Sequence, residues 1–178
     1  MNFYDFNDAV EMNHDVMPKG TLAKVIMKIK SGGYNDGLMG WTGGYATQST
    51  ISGAVYLNCE FTVLKVINDD GKHWAGKKIW SLIGLFSHKN DNRWGAMGRS
   101  FIRSMLNSSR GFSDRDESEA AQNARKIANF GELDGLEFVV KIDVQKDQFG
   151  LEKNVIKQPV CKGHKDYDAL MGADYARF

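Results

Sequence analysis

Residues 55–67 read VYLNCEFTVLKVI and alternate between two kinds of side chain. One face is apolar and consists of Val55, Leu57, Cys59, Phe61 and Val63. The other face is more polar and consists of Tyr56, Asn58, Glu60 and Thr62. A strict period of two is typical of a β-strand that buries one face, so we expect a long strand here.

Two further strand-like stretches flank this one. In residues 21–30, three lysines (Lys24, Lys28 and Lys30) share one face, which predicts a first strand with a basic, water-facing side. Residues 77–86 are apolar on both faces, which favours a central third strand. Between the second and third strands, residues 68–71 read NDDG, a typical turn sequence.

Helical patterns follow the third strand. Met97, Phe101 and Met105 recur at every fourth position, which predicts an amphipathic helix over about 94–108. A second helix is expected over about 113–129, where Ser113 or Asp114 could cap it and acidic residues fill its first turn. Because this second helix would repel DNA, we assign it to packing or to contact with a protein partner.

Two strands complete the pattern. We expect the fourth over 136–145 and the fifth over 153–158, with Pro159 ending the fifth. The order predicts a mostly β protein with accessory helices, and more specifically a five-stranded OB-type Greek-key barrel with a helix between strands 3 and 4. The predicted organisation is an N-terminal arm (1–18), a barrel domain (19–160, with the accessory helix at 113–130) and a C-terminal tail (161–178).

Both ends of the chain are expected to be appendages to that barrel. In the arm, Phe3, Tyr4 and Phe6 are expected to dock on the barrel, since exposed aromatic side chains are costly. The tail carries mixed charges and is expected to be peripheral.

Residues 31–54, SGGYNDGLMGWTGGYATQSTISGA, form the least ordinary segment. Seven glycines disfavour helix and strand interiors, so we expect a long loop between the first two strands. Tyr34, Trp41 and Tyr45 are spaced through it, and aromatic side chains in such a loop can stack on nucleic-acid bases. The alternative is a loop that packs on itself and covers one end of the barrel.

Composition narrows the choice of function. The 178 residues fit one domain, and the formal net charge of +1 means that affinity for nucleic acid must come from a local patch. Such a patch lies in residues 87–115, where six basic residues face only two acidic ones. The chain shows neither a signal peptide nor an apolar run long enough for a membrane span, so we expect a cytoplasmic protein.

Catalytic patterns are weak. Cys59 is expected to be a reduced core thiol, and the Cys161–His164 pair lacks the second ligand pair that a zinc site needs, so we predict no metal or cofactor. The four histidines are scattered, and the acidic pair Asp69–Asp70 lies in a predicted turn. No nucleophile or phosphate-loop motif is present, and we expect a protein that is not an enzyme.

Several short stretches carry a family resemblance. They are FYDFN (3–7), MPKGT (17–21), YLNCEFTV (56–63), GKKIW (76–80), LDGLEFVVK (133–141) and KNVI (153–156). In this order, over about residues 3–160, the chain resembles a family of phage-encoded single-stranded DNA-binding proteins with an OB fold. The resemblance implies coating of single strands in phage or prophage replication or recombination, within the host cytoplasm. It is compatible with a homo-oligomer or cooperative coating, and with contacts to replication or recombination proteins.

Candidate binding residues follow from the chemistry of single strands, in which aromatic rings stack on bases and cations contact phosphates. The stacking candidates are Tyr34, Trp41, Tyr45, Tyr56 and Trp80. The phosphate candidates are Lys28, Lys30, Arg93, Arg99, Arg103 and Lys141. The near-neutral net charge keeps a second hypothesis open, namely a structural or protein-interaction β-barrel, such as a phage assembly component, that does not bind nucleic acid.

Overall fold

Antiparallel β-sheet makes up most of the regular structure. The computed structural model describes residues 2–9, 15–67 and 73–172, so the predicted turn at 68–71 lies outside the described residues. The strands are β1 (Leu22–Lys30), β2 (Tyr34–Asp36), β3 (Trp41–Gln48), β4 (Val55–Val66), β5 (Lys78–Phe86), β6 (Glu137–Lys146) and β7 (Glu152–Val160). The α-helices are α1 (Arg93–Arg110), α2 (Glu119–Ala124) and α3 (Tyr167–Met171).

The strands form one curled sheet. Hydrogen-bonded neighbours follow the path β2-β3-β4-β1-β6-β7, in which β3 and β1 pair with successive parts of one edge of β4, and β5 pairs with the opposite edge of β4. The predicted mostly β architecture with accessory helices is confirmed. Within the described ranges β5 and β7 touch each other without a hydrogen-bonded register, so the pairing defines a curled half-barrel.

The inner face of the sheet is the core predicted from alternation. Val55, Leu57, Cys59, Phe61 and Val63 are all at most 2% exposed. The Phe61 ring meets the edges of two other rings, Phe101 at 6.3 Å and Phe138 at 6.1 Å between centroids. Burying these side chains fixes the register, because a slip by one residue would turn the apolar face towards water.

The glycine-rich segment is not a loop, and this prediction was wrong. Strands β2 and β3 form an antiparallel hairpin, and the end of β3 pairs with the start of β4 (Thr47 with Tyr56). Gly43 and Gly44 have φ of 87° and 72°, a region that glycine enters without steric cost. The hairpin is stabilised from one side, because Tyr34, Trp41 and Tyr45 pack against the main core.

Helix α1 was predicted in nearly the right place, and its predicted apolar face is confirmed at Phe101 and Met105, which pack into the main core, but not at Met97. Met105 is fully buried, whereas Met97 is 64% exposed. The helix instead approaches β5 through glycines: a Cβ built on Gly98 would lie 2.7 Å from the carbonyl carbon of Gly84. At these glycines the backbones of α1 and β5 approach each other closely, while Phe101 and Met105 of the same helix contribute apolar side chains to the core.

The second predicted helix is much shorter than expected. Helix α2 covers only Glu119–Ala124, and its N-cap is Ser118 rather than Ser113 or Asp114. Residues 113–117 instead form turns that are stabilised by Arg125, whose guanidinium donates hydrogen bonds to the carbonyl oxygens of Ser113 and Asp116. A tertiary hydrogen bond thus replaces the helical ladder over residues 113–117.

The N-cap of α2 provides a test of this boundary. Ser118 Oγ accepts a hydrogen bond from the backbone N–H of Ala121 at 3.2 Å. Ser118→Ala is expected to lower the free energy of unfolding by about 1 kcal/mol, whereas Ser118→Asp, which keeps an acceptor, should leave it nearly unchanged. Urea unfolding measures both variants, and equal losses in the two would contradict the capping role.

The C-terminal residues described belong to the fold. Pro159 does not end the last strand but lies within β7, paired with Val140, which an edge strand tolerates because one side of it needs no N–H donor. Beyond it, α3 buries Tyr167, Leu170 and Met171 against the sheet, so the prediction of a peripheral tail was wrong up to residue 172.

The N-terminal arm behaves differently from its prediction. Phe3, Tyr4 and Phe6 are 81%, 92% and 75% exposed, so they do not dock on the sheet. Contact with the body is seen at Asp15, whose carbonyl oxygen accepts a hydrogen bond from Lys77 Nζ, and at Met17, which is fully buried and whose backbone N–H and C=O both bond the side chain of Asn154.

Candidate nucleic-acid interface

The outer face of the sheet carries an open, mixed basic and aromatic surface. The register of β1, β4 and β5 places Lys28, Glu60 and Trp80 in one row across the sheet. The next row consists of Lys30, Asn58 and Leu82. Because neighbouring strands lie about 4.8 Å apart, each row spans roughly 10 Å. We call these six residues the outer face.

Two apolar side chains on the outer face are unusually accessible. Trp80 is 66% exposed and Leu82 is 48% exposed. Trp80 is the most exposed of the five predicted stacking residues, since the other four are all half-buried. An exposed indole next to a second apolar side chain forms a platform on which a flat ring can stack.

Uncompensated positive charge lies beside this platform. Glu60 Oε1 is 3.0 Å from Lys78 Nζ, which satisfies the only acidic group of the outer face. Lys28 and Lys30 are exposed and have no ion pair among the described residues. Their ammonium groups are therefore free to contact an anion next to Trp80.

One end of the outer face is bounded by the start of α1. Trp94 packs on Gly84, where an added Cβ would come within 2.7 Å of the indole, and its ring lies 6.2 Å from that of Tyr56. Tyr56 is therefore half-buried beside an existing aromatic partner. Arg93, the first residue of α1, is exposed at this end.

The opposite end is covered by α3. Leu22 and Val139 lie on the same side of the sheet as Lys28, and both are buried under α3. Lys141 pairs with Leu22, six residues before Lys28 on β1, so the two lysines lie roughly 20 Å apart. Lys141 is thus separated from the exposed part of the outer face.

A second concave surface brings other predicted residues together. It is a groove of about 630 Å³ between the β2–β3 hairpin, α1 and residues 125–130. Trp41, Arg99 and Arg103 all line it. We call it the hairpin groove. It went unpredicted because it exists only once residues 31–54 fold into a hairpin against α1.

The two tyrosines of the hairpin are less accessible than Trp80. Tyr34 and Tyr45 are half-buried and pack against the main core. Tyr45 is held closely: a Cβ built on Gly131 would lie 2.8 Å from its ring carbon Cζ. Their role in the described structure is therefore to fix the hairpin on the body.

The arginines near the hairpin groove differ in their partners. Arg103 donates to the carbonyl oxygen of Asp114 at 3.1 Å and lies 3.4 Å from Glu117 Oε1. Arg125, also near Glu117, donates to Asn107 Oδ1 at 2.9 Å, and its side chain is only 8% exposed. Arg99 is exposed and has no hydrogen bond or ion pair with another described residue.

The two cysteines are poorly suited to nucleophilic chemistry. Burial raises the pKa of Cys59 to about 12, and the carboxylate of Asp134 adds to this effect. Burial, followed by the nearby Asp114 carboxylate, raises the pKa of Cys161 to about 12 as well. Since the thiolate is the reactive form, both groups are protonated and unreactive at neutral pH. In the parts of the chain that the structure describes, no three His, Cys, Asp or Glu residues are arranged to hold a metal ion.

Sequence reasoning missed three members or neighbours of the outer face: Asn58, Lys78 and Leu82. Their signal was present, since Lys78 and Leu82 flank Trp80 at a spacing of two residues and so share its face. Asn58 could be placed beside Leu82 only once the register between β4 and β5 was known.

The chain was compared with models of known protein families and with curated proteins, and neither comparison gave a match. Among residues 2–9, 15–67 and 73–172, no helix has the length and apolar character needed to cross a bilayer. The function is therefore inferred from the geometry of the chain itself.

Proposed function

We propose that this protein binds single-stranded DNA without catalysing a reaction and largely without regard to sequence, during phage or prophage DNA replication or recombination. One observation carries the proposal: Trp80 and Leu82 are exposed on the outer face in the same two rows as Lys28 and Lys30, two lysines without ion-pair partners among the described residues. The combination supplies a stacking platform and cations within one open surface.

The strand order supports this function. The five long strands follow the order β5-β4-β1-β6-β7, with α1 between β5 and β6 in the chain. The proposal includes an OB-type Greek-key barrel built on this order, because the second and third strands and the first loop of that fold commonly bind oligonucleotides. Under this proposal β4 and β5 are those two strands, and the β2–β3 hairpin takes the place of that loop.

The binding mechanism combines two sequence-independent contacts. A base stacks on the Trp80 indole, since every base presents a π-face, and Leu82 extends the apolar contact. Lys28 and Lys30 contact successive phosphates and release their condensed counterions, which makes the affinity fall as salt rises. Cooperative coating or a homo-oligomer, and contacts with replication or recombination proteins, belong to the same proposal.

A fluorescence titration tests the charge contacts. Adding oligo-dT is expected to quench tryptophan emission, with an affinity that falls linearly with the logarithm of salt concentration. The double variant Lys28→Gln/Lys30→Gln should reduce that slope by about 1.4, because each phosphate contact on a single strand contributes about 0.7.

The matched control is Lys153→Gln/Lys157→Gln, which removes two exposed lysines from β7 and should leave the slope unchanged. Equal slope losses in the two double variants would contradict the outer face as the phosphate site. Absence of both quenching and a gel shift at low salt would reject DNA binding altogether.

A structural or protein-interaction β-barrel, for example a phage assembly component, is the second candidate. The observation that favours it is the arm, where Phe3, Tyr4 and Phe6 are exposed on a chain with a net charge of only +1. It predicts a concentration-dependent increase in mass by analytical ultracentrifugation, abolished when residues 1–9 are removed, together with no salt-dependent binding of oligo-dT.

A further inference from the structure

The hairpin groove combines cationic, aromatic and amide groups in one concave site. Its volume of about 630 Å³ lies within the range of sites that bind small molecules. We infer that this groove binds one nucleotide unit, with the phosphate at Arg99 and the base against Trp41 and Met39. The inference rests on the proposed function for the class of ligand, but it assigns a subsite separate from the outer face.

Charge in the groove favours a phosphate at Arg99. Arg103 and Arg125 also line the groove, but both are already bonded to the segment 114–117. Arg99 alone of the three has no hydrogen bond or ion pair within the described ranges. Arg103 and Arg125 add positive charge to the groove, and the guanidinium of Arg99 can form two parallel hydrogen bonds to a phosphate.

The opposite wall favours a planar base. Trp41 is half-buried, with its ring 6.5 Å from that of Phe130 at 38°, so its position is fixed by packing. Met39, which also lines the groove, is 57% exposed and is therefore accessible to a ligand. Its unbranched, flexible side chain can adjust its conformation to pack against a ring. The fixed indole of Trp41 and the flexible thioether of Met39 can together pack against any base, so the contact does not distinguish one base from another.

Two amides supply hydrogen-bond donors for the edge of the base. The Oδ1 atoms of Asn92 and Asn129 accept from backbone N–H groups, of Ser87 at 2.9 Å and of Gly131 at 2.8 Å. Each bond orients its amide, and each Nδ2 group stays without an acceptor among the described residues. Both asparagines line the groove, so these donors can meet the carbonyl oxygens of a base.

The groove and the outer face lie on different sides of α1. Trp94 bounds the outer face, and Arg99 follows five residues later on the same helix. Five residues of an α-helix correspond to about 8 Å of rise and about 140° of rotation. One nucleotide therefore cannot occupy both sites, and substitutions can separate them.

The probe for the groove is thymidine 5′-monophosphate, with thymidine as the ligand that lacks the phosphate. We expect the nucleotide to bind the full chain with a heat signal in calorimetry, and thymidine to bind at least tenfold more weakly. Arg99→Gln should weaken nucleotide binding by about 10- to 100-fold, the size of a lost charge-assisted hydrogen bond to an anion.

Two controls make the test specific. Arg93→Gln removes an exposed arginine from the same helix outside the groove, and Trp80→Ala removes the platform of the outer face; neither should change nucleotide binding by more than about twofold. Equal losses in Arg99→Gln and Arg93→Gln would mean general electrostatic attraction and would overturn the inference. Loss in Trp80→Ala would place the nucleotide on the outer face and would overturn it as well.

Comparison with oligo-dT separates this inference from the proposed function. If oligo-dT binds while the monophosphate does not bind at millimolar concentration, nucleotide binding in the hairpin groove is rejected and DNA binding on the outer face is retained. If only the monophosphate binds, in a manner sensitive to Arg99, the groove is a site for free nucleotides and DNA coating fails. If both bind, displacement of a 5′-phosphorylated oligonucleotide end by the monophosphate identifies the strand terminus as the source of the bound unit.

Discussion

Trp80→Ala is expected to weaken binding of oligo-dT by roughly 1–3 kcal/mol, or about 5- to 150-fold, with little effect on stability. The reason is that Trp80 is 66% exposed and packs little apolar surface in the free protein, so its removal costs the complex a stacking platform without opening a cavity in the core. Equilibrium titration with oligo-dT at fixed salt measures the loss, and urea unfolding verifies the fold.

Two substitutions at position 80 separate the contribution of apolar area to DNA binding from the contribution of the aromatic ring. Trp80→Phe keeps a ring and should retain most of the affinity, whereas Trp80→Leu keeps apolar area without a ring and should lose nearly as much as alanine. The neighbouring Leu82→Ala should cost less than Trp80→Ala, because a leucine offers no π-face. If Leu and Phe at position 80 bind equally well, the contact is a general apolar one and the stacking role is wrong.

The largest effect on stability is expected from Gly98→Val. Gly98 lies where α1 touches β5, and an added Cβ would come within 2.7 Å of the carbonyl carbon of Gly84. The obstacle is backbone rather than the flexible end of a side chain, so the helix itself must move away from the sheet. We expect a loss of about 3 kcal/mol in the free energy of unfolding, at the upper end of ordinary overpacking.

The matched control is Ala96→Val, which adds the same β-branched group at an exposed position of the same helix. Ala96→Val should lower the free energy of unfolding by roughly 0.5 kcal/mol, which is the difference in helix propensity between alanine and valine. Urea denaturation of both variants, analysed with a common slope, separates the clash from propensity. Similar losses in the two variants would mean that the close approach of α1 to β5 does not limit stability.

The long strands could be predicted from the sequence because their signal is local. In β1 and β4 every second side chain is apolar, and burial of that face against water decides both the strand and its register. The same period shows that Lys28 and Lys30 share a face and that Trp80 and Leu82 share another. The sequence thus named Lys28, Lys30 and Trp80 of the outer face as binding candidates, but it named neither Leu82 nor the proximity of these residues.

The errors fall where distant residues decide local structure. The glycine-rich segment folds as a hairpin because Tyr34, Trp41 and Tyr45 find a core to pack on. Residues 113–117 avoid a helix because Arg125 captures their carbonyl oxygens. Helix α1 approaches β5 through Gly98, next to Met97, and Met97 stays 64% exposed. None of these partners can be identified from the spacing of residues within one segment.

The mostly β architecture, the long strands with their buried faces, and the types of side chain available for binding can all be predicted from the amino-acid sequence, because each depends on side-chain chemistry repeated at short range. The folded arrangement is needed to see that one open surface contains Lys28, Lys30, Trp80 and Leu82, that Lys141 lies far from it, and that Arg99 and Trp41 line the same groove. The physical reason is that proximity across strands depends on register and on helix docking, which are set by the packing of the whole core.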